Sequence, residues 1–305
     1  MGKIAVVGSN MVDLITYVTR FPEAGETIES PSFEIGCGGK GANQAIAAAK
    51  LGSDVMMVTK VGDDLFADNT IHNFQSFGIN TDFVEKVPEA SSGVAPIFVD
   101  PTGENRILIV KGANSNLAPS DIDKAADALR QCDLILMQLE VSLDVVYHTI
   151  EFGAKNAIQT LLNPAPADPT LSLDRIKDVT FFTPNETELA LLTGMPVDTQ
   201  PQVEAAAKLL ISKGIKTVVV TLGSRGALLV SDQVVEHIPP VKVTPVDTTG
   251  AGDAFIGSFA HFYTQTKDIH FALNTATRYA ADSITKRGTQ KSYASIEEFN
   301  SILKK

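Results

Sequence analysis

The chain has 305 residues, 44% of them hydrophobic and 20% charged, enough apolar material for one large α/β unit carrying a small appendage. Lys and Arg total 25 against 36 Asp and Glu, and the formal charge of −11 argues against a nucleic-acid or anionic-membrane surface while allowing a local positive pocket. Cys37 and Cys132 provide neither a disulfide framework nor paired metal-ligand spacing, and no stretch approaches the ~18 apolar residues of a membrane span. The expectation is a soluble, cytoplasmic protein of a reducing compartment, without an apolar leader.

Short apolar runs predict strands at Lys3–Val7, Val55–Lys60, Leu134–Gln138, Gln159–Leu162, Thr180–Thr183 and Thr217–Leu222. Helical spacing predicts helices over Gly41–Leu51, Phe66–Phe77, Pro119–Gln131, Leu143–Asn156, Pro201–Lys213, Ala251–Gln265 and Phe271–Thr285, with Ile296–Leu303 as one more. This alternation predicts an α/β fold with a largely parallel sheet covered by helices. Leu14–Ile35 and Ser91–Val110 break the rhythm: short alternating runs with Gly, Pro and acidic turns read as antiparallel strands inserted into the body. If the two insertions meet, they form a small sheet that must cover a substrate, pair with another subunit, or both.

The most informative segment is Val246-Asp-Thr-Thr-Gly-Ala-Gly-Asp-Ala-Phe255. It reads as a strand, Val241 to Val246, running through Gly250-Ala251-Gly252 into a helix whose Ala254, Phe255, Phe259 and Phe262 share a face. The glycines allow successive N–H groups to point at one spot, and the helix N-terminus adds its positive dipole end. Such a spot suits a phosphate or a developing negative charge. Asp253, in the first helical turn, is positioned to accept a proton from an attacking hydroxyl. An acid that only complements the helix dipole fits this segment equally well.

A second glycine cluster, Gly36-Cys-Gly-Gly-Lys-Gly-Ala-Asn-Gln44, also opens a helix. It contains G-x-G-x-x-G at Gly36, Gly38 and Gly41, the fingerprint of a dinucleotide site and of an NAD-dependent oxidoreductase. That fingerprint belongs after the first strand of a βαβ unit, whereas here it follows the irregular Pro31–Ile35 stretch, so the NAD reading is rejected. No Walker A loop occurs. Lys40 and Asn43, three residues apart on one helical face, suit several sugar hydroxyls, although glycines that merely permit packing beside a solvated Lys40 remain the alternative. His72, His148, His237, His261 and His270 are scattered without metal spacing.

Taken together, GGKGANQA near residue 40, PNETE at 184–188, TLGSRG at 221–226 and DTTGAGDAF near residue 250 resemble the ribokinase (PfkB-type) family of carbohydrate kinases. The resemblance runs from Val6-Val-Gly-Ser9 to Gly288-Thr-Gln-Lys-Ser292. It implies a ribokinase-like α/β domain over 1–305, with a discontinuous β-lid inserted at about 14–38 and 91–111. It also implies a homodimer through the lid, a small sugar as substrate, and ATP, Mg²⁺ and activating K⁺ as cofactors.

Position by position, the resemblance makes Asp253 the catalytic base and the N–H groups of Gly250, Ala251 and Gly252 an anion hole. Asn185 and Glu188 match an N-x-x-E in which Glu188 organises Mg²⁺ through water and Asn185 helps hold the nucleotide phosphates. Thr221, Gly223, Ser224 and Gly226 match the nucleotide loop. The cation site would take the Asp247 side chain, the carbonyls of Thr249, Ser283, Lys286 and Gly288, and the Ser292 hydroxyl; Asp247 could equally cap the following turn. The sugar site would take Asp13, Gly39, Lys40, Asn43, Glu140 and Asp253. Glu140 ends an apolar run, where a buried acid needs a partner that the sugar would supply.

One position departs from the family's G-S-x-N-x-D pattern. The segment is Gly8-Ser-Asn-Met-Val-Asp13, so Met11 stands where that Asn would be. Asn10 is offset by one residue, and on a strand such a shift points it to the opposite face. A methionine would leave a sugar 2-hydroxyl unsatisfied, at roughly 1–3 kcal/mol. The expected substrate is therefore 2-deoxy-D-ribose, phosphorylated at its 5-hydroxyl, with D-ribose as the alternative and Met11 then a packing residue. A nucleoside or hexose kinase, and a non-catalytic sugar-binding regulator, are the remaining alternatives.

Overall fold

The computed structural model describes residues 2–102 and 104–303; the terminal pair 304–305 lies outside them. In chain order the strands are β1 (Lys3–Val7), β2 (Met11–Tyr17), β3 (Ser32–Gly38), β4 (Asp54–Val61), β5 (Asn80–Lys86), β6 (Val94–Val99), β7 (Asn105–Ile107), β8 (Leu134–Met137), β9 (Gln159–Leu162), β10 (Phe181–Phe182), β11 (Thr217–Thr221), β12 (Ala227–Ser231) and β13 (Val235–Ile238). The helices are α1 (Lys40–Lys50), α2 (Leu65–Ser76), α3 (Pro119–Lys124), α4 (Ala126–Leu129), α5 (Leu143–Lys155), α6 (Glu186–Thr193), α7 (Gln200–Ser212), α8 (Ala251–Thr266), α9 (Ile269–Ser283) and α10 (Ile296–Leu303).

Nine strands form the main sheet in the order β13-β12-β11-β10-β9-β8-β1-β4-β5. Pairings from β5 to β11 are parallel, whereas β12 and β13 continue antiparallel at one edge. The central strands are near-continuous apolar runs because both faces are covered. Ile4 and Val6 of β1 point into one core with α1, α8 and α9; Ala5 and Val7 point into the other with α5 and α7. This is the expected α/β fold, a largely parallel sheet covered by helices on both faces.

The second sheet, β3-β2-β6-β7, is built from the two irregular insertions. It begins at Met11, three residues earlier than expected, because Met11–Leu14 already pair with Gly38–Ile35. On β2, Met11 and Asp13 share one face, opposite Gly38 and Gly36.

The expected strand over Val241–Val246 does not form. Pro239, Pro240 and Pro245 remove backbone donors from this stretch, and Val241 and Val246 are exposed. The single helix expected over Pro119–Gln131 is interrupted at Ala125, giving α3 and α4. The unforeseen β5 is an edge strand of mainly polar residues, which no apolar alternation announces.

Candidate active site

Every strand of the main sheet that contributes to the cleft does so at or just past its C-terminal end: β1 leads to Ser9–Asn10, β8 to Glu140, β9 to Asn163, β10 to Thr183–Asn185, and β11 ends in Thr221. That edge is where open α/β sheets bind ligands. A cavity of about 140 Å³ there is lined by Lys40, Asn185, Glu188, Thr221 and Gly250–Asp253, among others. Whole-ligand pockets span ~300–1,000 Å³, so this cavity is smaller than one that would enclose a sugar and a nucleotide together.

At its floor, Gly250 adopts φ +76° and starts α8 with no side-chain cap. The Ala251 N–H donates to Thr248 O at 3.2 Å, whereas the N–H groups of Gly250 and Gly252 have no acceptor among the described residues. A Cβ on Gly250 would strike Thr289 and Tyr293, so packing requires that glycine. A Cβ on Gly252 would meet nothing within 4 Å and would stand in the cleft itself. Protein packing does not require a glycine there, but close approach of a ligand to the backbone does.

Asp253 is buried one turn into α8, where Gly257 lets α8 cross α1 so closely that a Cβ would lie 2.4 Å from Gln44 O. The crossing brings Asn43 Nδ2 to 3.0 Å from Asp253 Oδ2 and Gln44 Nε2 to 2.9 Å from Oδ1. Asn43, expected to bind sugar, thus has its amide engaged with Asp253 and, through Oδ1, with Gln290 at 2.9 Å. Gln44 and Gln290 were not anticipated; both lie inside or beside recognised motifs, yet no linear signal connects them to residue 253.

Toward the second sheet, Asp13 projects against Gly38, where a Cβ would sit 2.4 Å from its carboxylate oxygens. The glycines of the G-x-G-x-x-G string therefore clear space: Gly38 for Asp13, Gly39 (φ +90°) for the Asn10–Met11 backbone and Gly41 for Ser9. Burial, then the neighbouring Glu140 and Asp253 carboxylates, push the Asp13 carboxyl up to about 7. Glu140 is not left for the sugar alone, because its Oε2 accepts from the Ser9 hydroxyl and from the Lys40 N–H at 2.9 Å. It caps the first turn of α1. The Lys40 ammonium is opposed by burial, but Asp253, Glu140 and Glu188 together hold it above the usual lysine range. It lies at the reacting cavity rather than deep in the sugar end.

Met11 is buried, with its sulfur 3.7 Å from Asn114 Nδ2. Asn114 also fixes the backbone at Asn10, accepting from its N–H at 3.0 Å and donating to its carbonyl at 2.7 Å. The Asn10 side chain faces the other way and donates to Thr59 Oγ1 and Lys60 O.

At the opposite end, Asn185 and Glu188 form a reciprocal capping box on α6. Glu188 N–H donates to Asn185 Oδ1 at 2.8 Å, while Asn185 N–H and Nδ2 donate to the two carboxylate oxygens at 2.8 and 2.9 Å. Asn185 therefore acts on Glu188 rather than standing free. Burial raises the Glu188 carboxyl; Asn185 and Lys40 oppose that shift, and Asp253 adds to it. Thr221 joins this group through an isolated bridge to Asn185. Gly223, Ser224 and Gly226 continue past it in a tight turn, with positive φ at both glycines, and do not line the small cavity.

Asp247 joins two loops. Its Oδ1 accepts from Thr249 N–H and its Oδ2 from Gly288 N–H, each at 2.9 Å. Burial opposes ionisation, but these two amides outweigh it and hold the carboxyl below its usual range. The same loops bring Ser283, Lys286 and Ser292 together: Ser283 O accepts from Lys286 N–H, and Ser292 O lies 3.4 Å from Lys286 Nζ.

The chain belongs to the pfkB family of carbohydrate kinases, whose family model matches residues 1–296. It is 59% identical over 300 residues to a deoxyribokinase of Salmonella typhimurium, covering 98% of each chain. It is 38% identical to a ribokinase of Mus musculus, covering 95% of this chain and 91% of the other. Among solved structures, Arabidopsis thaliana ribokinase complexed with ribose and ATP matches with a TM-score of 0.93 at 30% identity, and Thermotoga maritima ribokinase with 0.89 at 35%, each over 100% of both chains.

Proposed function

We propose that this chain transfers a phosphoryl group from ATP to the 5-hydroxyl of a free pentose and prefers 2-deoxy-D-ribose to D-ribose. The observation that carries the reading is the station of Asp253: its carboxylate borders the unfilled Gly250–Gly252 cradle on one side and feels Asp13 on the other. Asp253 accepts the proton of the 5-hydroxyl as that oxygen attacks phosphorus. The Gly250 and Gly252 amides receive charge on the transferring group, and Lys40 adds a mobile positive charge beside them. Asp13 and Glu140 hold the sugar from the second sheet and from the end of β8. The turn at Gly223–Gly226, beside Thr221, carries the rest of the nucleotide.

Glu188 is the one acid on the nucleotide side of the cavity, which fits Mg²⁺ held largely by phosphates and water. Bound Mg²⁺ would supply neutralisation of phosphate charge. The oxygen-rich meeting of the Asp247–Thr249 and Ser283–Ser292 loops fits K⁺, with Asp247 already deprotonated to receive it. The second sheet acts as a lid and as the contact between two copies. Cys37 and Cys132 are unpaired, in keeping with a cytoplasmic setting, and no helix among the described residues is long and apolar enough to cross a membrane.

Met11 supports the deoxy preference. It shares the Asp13 face of β2, and Asn10, the only amide nearby in sequence, is turned away. The test compares kcat/KM for the two pentoses in the native protein and in Met11→Asn. The native chain favours 2-deoxyribose, and the variant moves toward ribose by about ten- to a hundredfold. A wide native preference for ribose overturns the assignment. Asp253→Ala keeps sugar binding and loses turnover by several orders of magnitude; retained turnover would instead support a different base.

A further inference from the structure

Five amide side chains, contributed by four separate parts of the chain, converge on Asp253. From one side Asn73 Nδ2 donates to Gln290 Oε1 at 3.0 Å, Gln290 Nε2 to Asn43 Oδ1 at 2.9 Å, and Asn43 Nδ2 to Asp253 Oδ2 at 3.0 Å. From the other side Gln138 Nε2 donates to Gln44 Oε1 at 2.6 Å, and Gln44 Nε2 to Asp253 Oδ1 at 2.9 Å. Every donor points toward the carboxylate. Asn43, Gln44, Gln138 and Gln290 are all buried, so water does not compete for these bonds.

We infer that Gln290 and Asn73 are positioning residues for the kinase base, acting on Asp253 through the orientation of the Asn43 amide. An amide presents a donor at one end and an acceptor at the other. Gln290 gives its N–H to Asn43 Oδ1 and so obliges Asn43 to present its own N–H to Asp253. Aligned amides polarise one another, and donors to a carboxylate favour its ionised form. The chain therefore holds the Asp253 carboxylate in one rotamer, with an amide N–H on each of its oxygens, beside three other acids, Asp13, Glu140 and Glu188. Lys40 and the Tyr293 hydroxyl, which donates to Gly250 O at 3.0 Å, are the other titratable groups facing this region, and Gln44 Nε2 also donates to Asn163 Oδ1 at 3.2 Å. Gln290 belongs to the loop expected to hold a monovalent cation, so the same bond links that loop to the base.

The inference rests on Asp253 as base, and the polarity of the chain gives it a distinctive test. Gln290→Met removes one donor. Gln290→Glu replaces the donor with an acceptor, rotates the Asn43 amide and turns its oxygen toward Asp253. We expect Gln290→Met to lower kcat about fivefold or more with sugar and nucleotide KM changed less than about threefold. Gln290→Glu should be worse despite its closer shape, and should shift the acidic limb of the kcat–pH profile to higher pH. Asn73→Asp, half-buried on α2 and nearly isosteric, should shift the limb in the same direction by a smaller amount. It supplies the measurement if a Gln290 variant does not fold. Melting temperature and far-UV circular dichroism accompany each variant. If Gln290→Glu equals Gln290→Met, or if Asn73→Asp and the Gln290 variants keep the native profile while Asp253→Ala is inactive, the positioning role is wrong and the base assignment stands. If Asp253→Ala retains turnover, the base assignment itself fails.

Discussion

Single residues divide the cleft between chemistry and packing, and the glycines separate the two. Gly250 is required by Thr289 and Tyr293, but Gly252 opens onto empty space at the start of a helix. Gly252→Ala should therefore keep or raise thermal stability, since alanine is favoured in helices by about 0.5–1 kcal/mol. Its kcat should fall at least tenfold, because the new methyl stands where the phosphoryl group passes. Loss of both stability and activity would make Gly252 a packing glycine. Asp13 carries the opposite trade. Its carboxyl is pushed up to about 7 in the folded protein, so the folded state binds an extra proton between the ordinary carboxylate range and neutrality. The resulting destabilisation is absent near pH 4, grows as pH rises and is complete above 7. Asp13→Asn should be more stable than the native chain at pH 8, by roughly 2–4 kcal/mol, with the difference vanishing toward pH 4. The variant should also lose the part of the kcat/KM–pH profile that rises through about 7, because ionised Asp13 offers two acceptor oxygens to sugar hydroxyls, whereas Asn offers one and does not titrate. Urea titrations at the two pH values and a pH series of initial rates check both.

At the scale of elements, each proposed catalytic group is held at the end of a helix or strand by a local device. Glu188 is the third residue of α6, and its carboxylate reaches back to Asn185, so the bonds that start the helix also fix the acid. Asn185→Ala should lower stability by about 1–2 kcal/mol, the usual loss of an N-cap. It should also raise the Mg²⁺ concentration needed for half-maximal rate several-fold, since Glu188 loses two of its three bonds to Asn185. A stability change without a Mg²⁺ effect would confine Asn185 to capping. The crossing of α1 and α8 at Gly257 does comparable work for Asp253. Helix starts at residues 40 and 251 were readable from their glycines, whereas α6 escaped notice although its Asn-x-x-Glu was recognised. No strand forms at Val241–Val246 despite its apolar residues, because Pro239, Pro240 and Pro245 remove backbone donors.

At the scale of the molecule, the second sheet has two faces with different uses. Asp13 and Met11 share one face of β2, whereas Phe33 and Ile35, 54% and 52% exposed, lie on the opposite face of edge strand β3. Leu108, Ile109 and Val110 are also exposed after β7. Exposed apolar side chains in an edge region favour contact with another copy, at roughly 1.5–3 kcal/mol for each one buried. Phe33→Lys combined with Ile35→Lys should convert a dimer to a monomer in sedimentation equilibrium. The double variant should raise the sugar KM if the partner steadies the lid, and a native chain that sediments as a monomer would remove the dimer reading.

By itself the sequence determined the class of fold, the order of the motifs and the residue types of the site. Apolar periodicity, glycine pairs and short polar strings are local signals, and the chain carries them without reference to its final shape. It also singled out Met11, because that residue stands where the pattern of the resembled family has an Asn. Only the tertiary structure decided which groups act together. Asn73, Gln138 and Gln290 carry no linear signal that connects them to Asp253. Their meaning arises when α1 crosses α8 and the 288–293 loop closes over Asn43. The structure likewise decided that Glu140 caps a helix and that Asn185 serves Glu188. Hydrogen-bond partners are set by distances of about 3 Å between side chains, a scale that linear spacing does not encode across hundreds of residues.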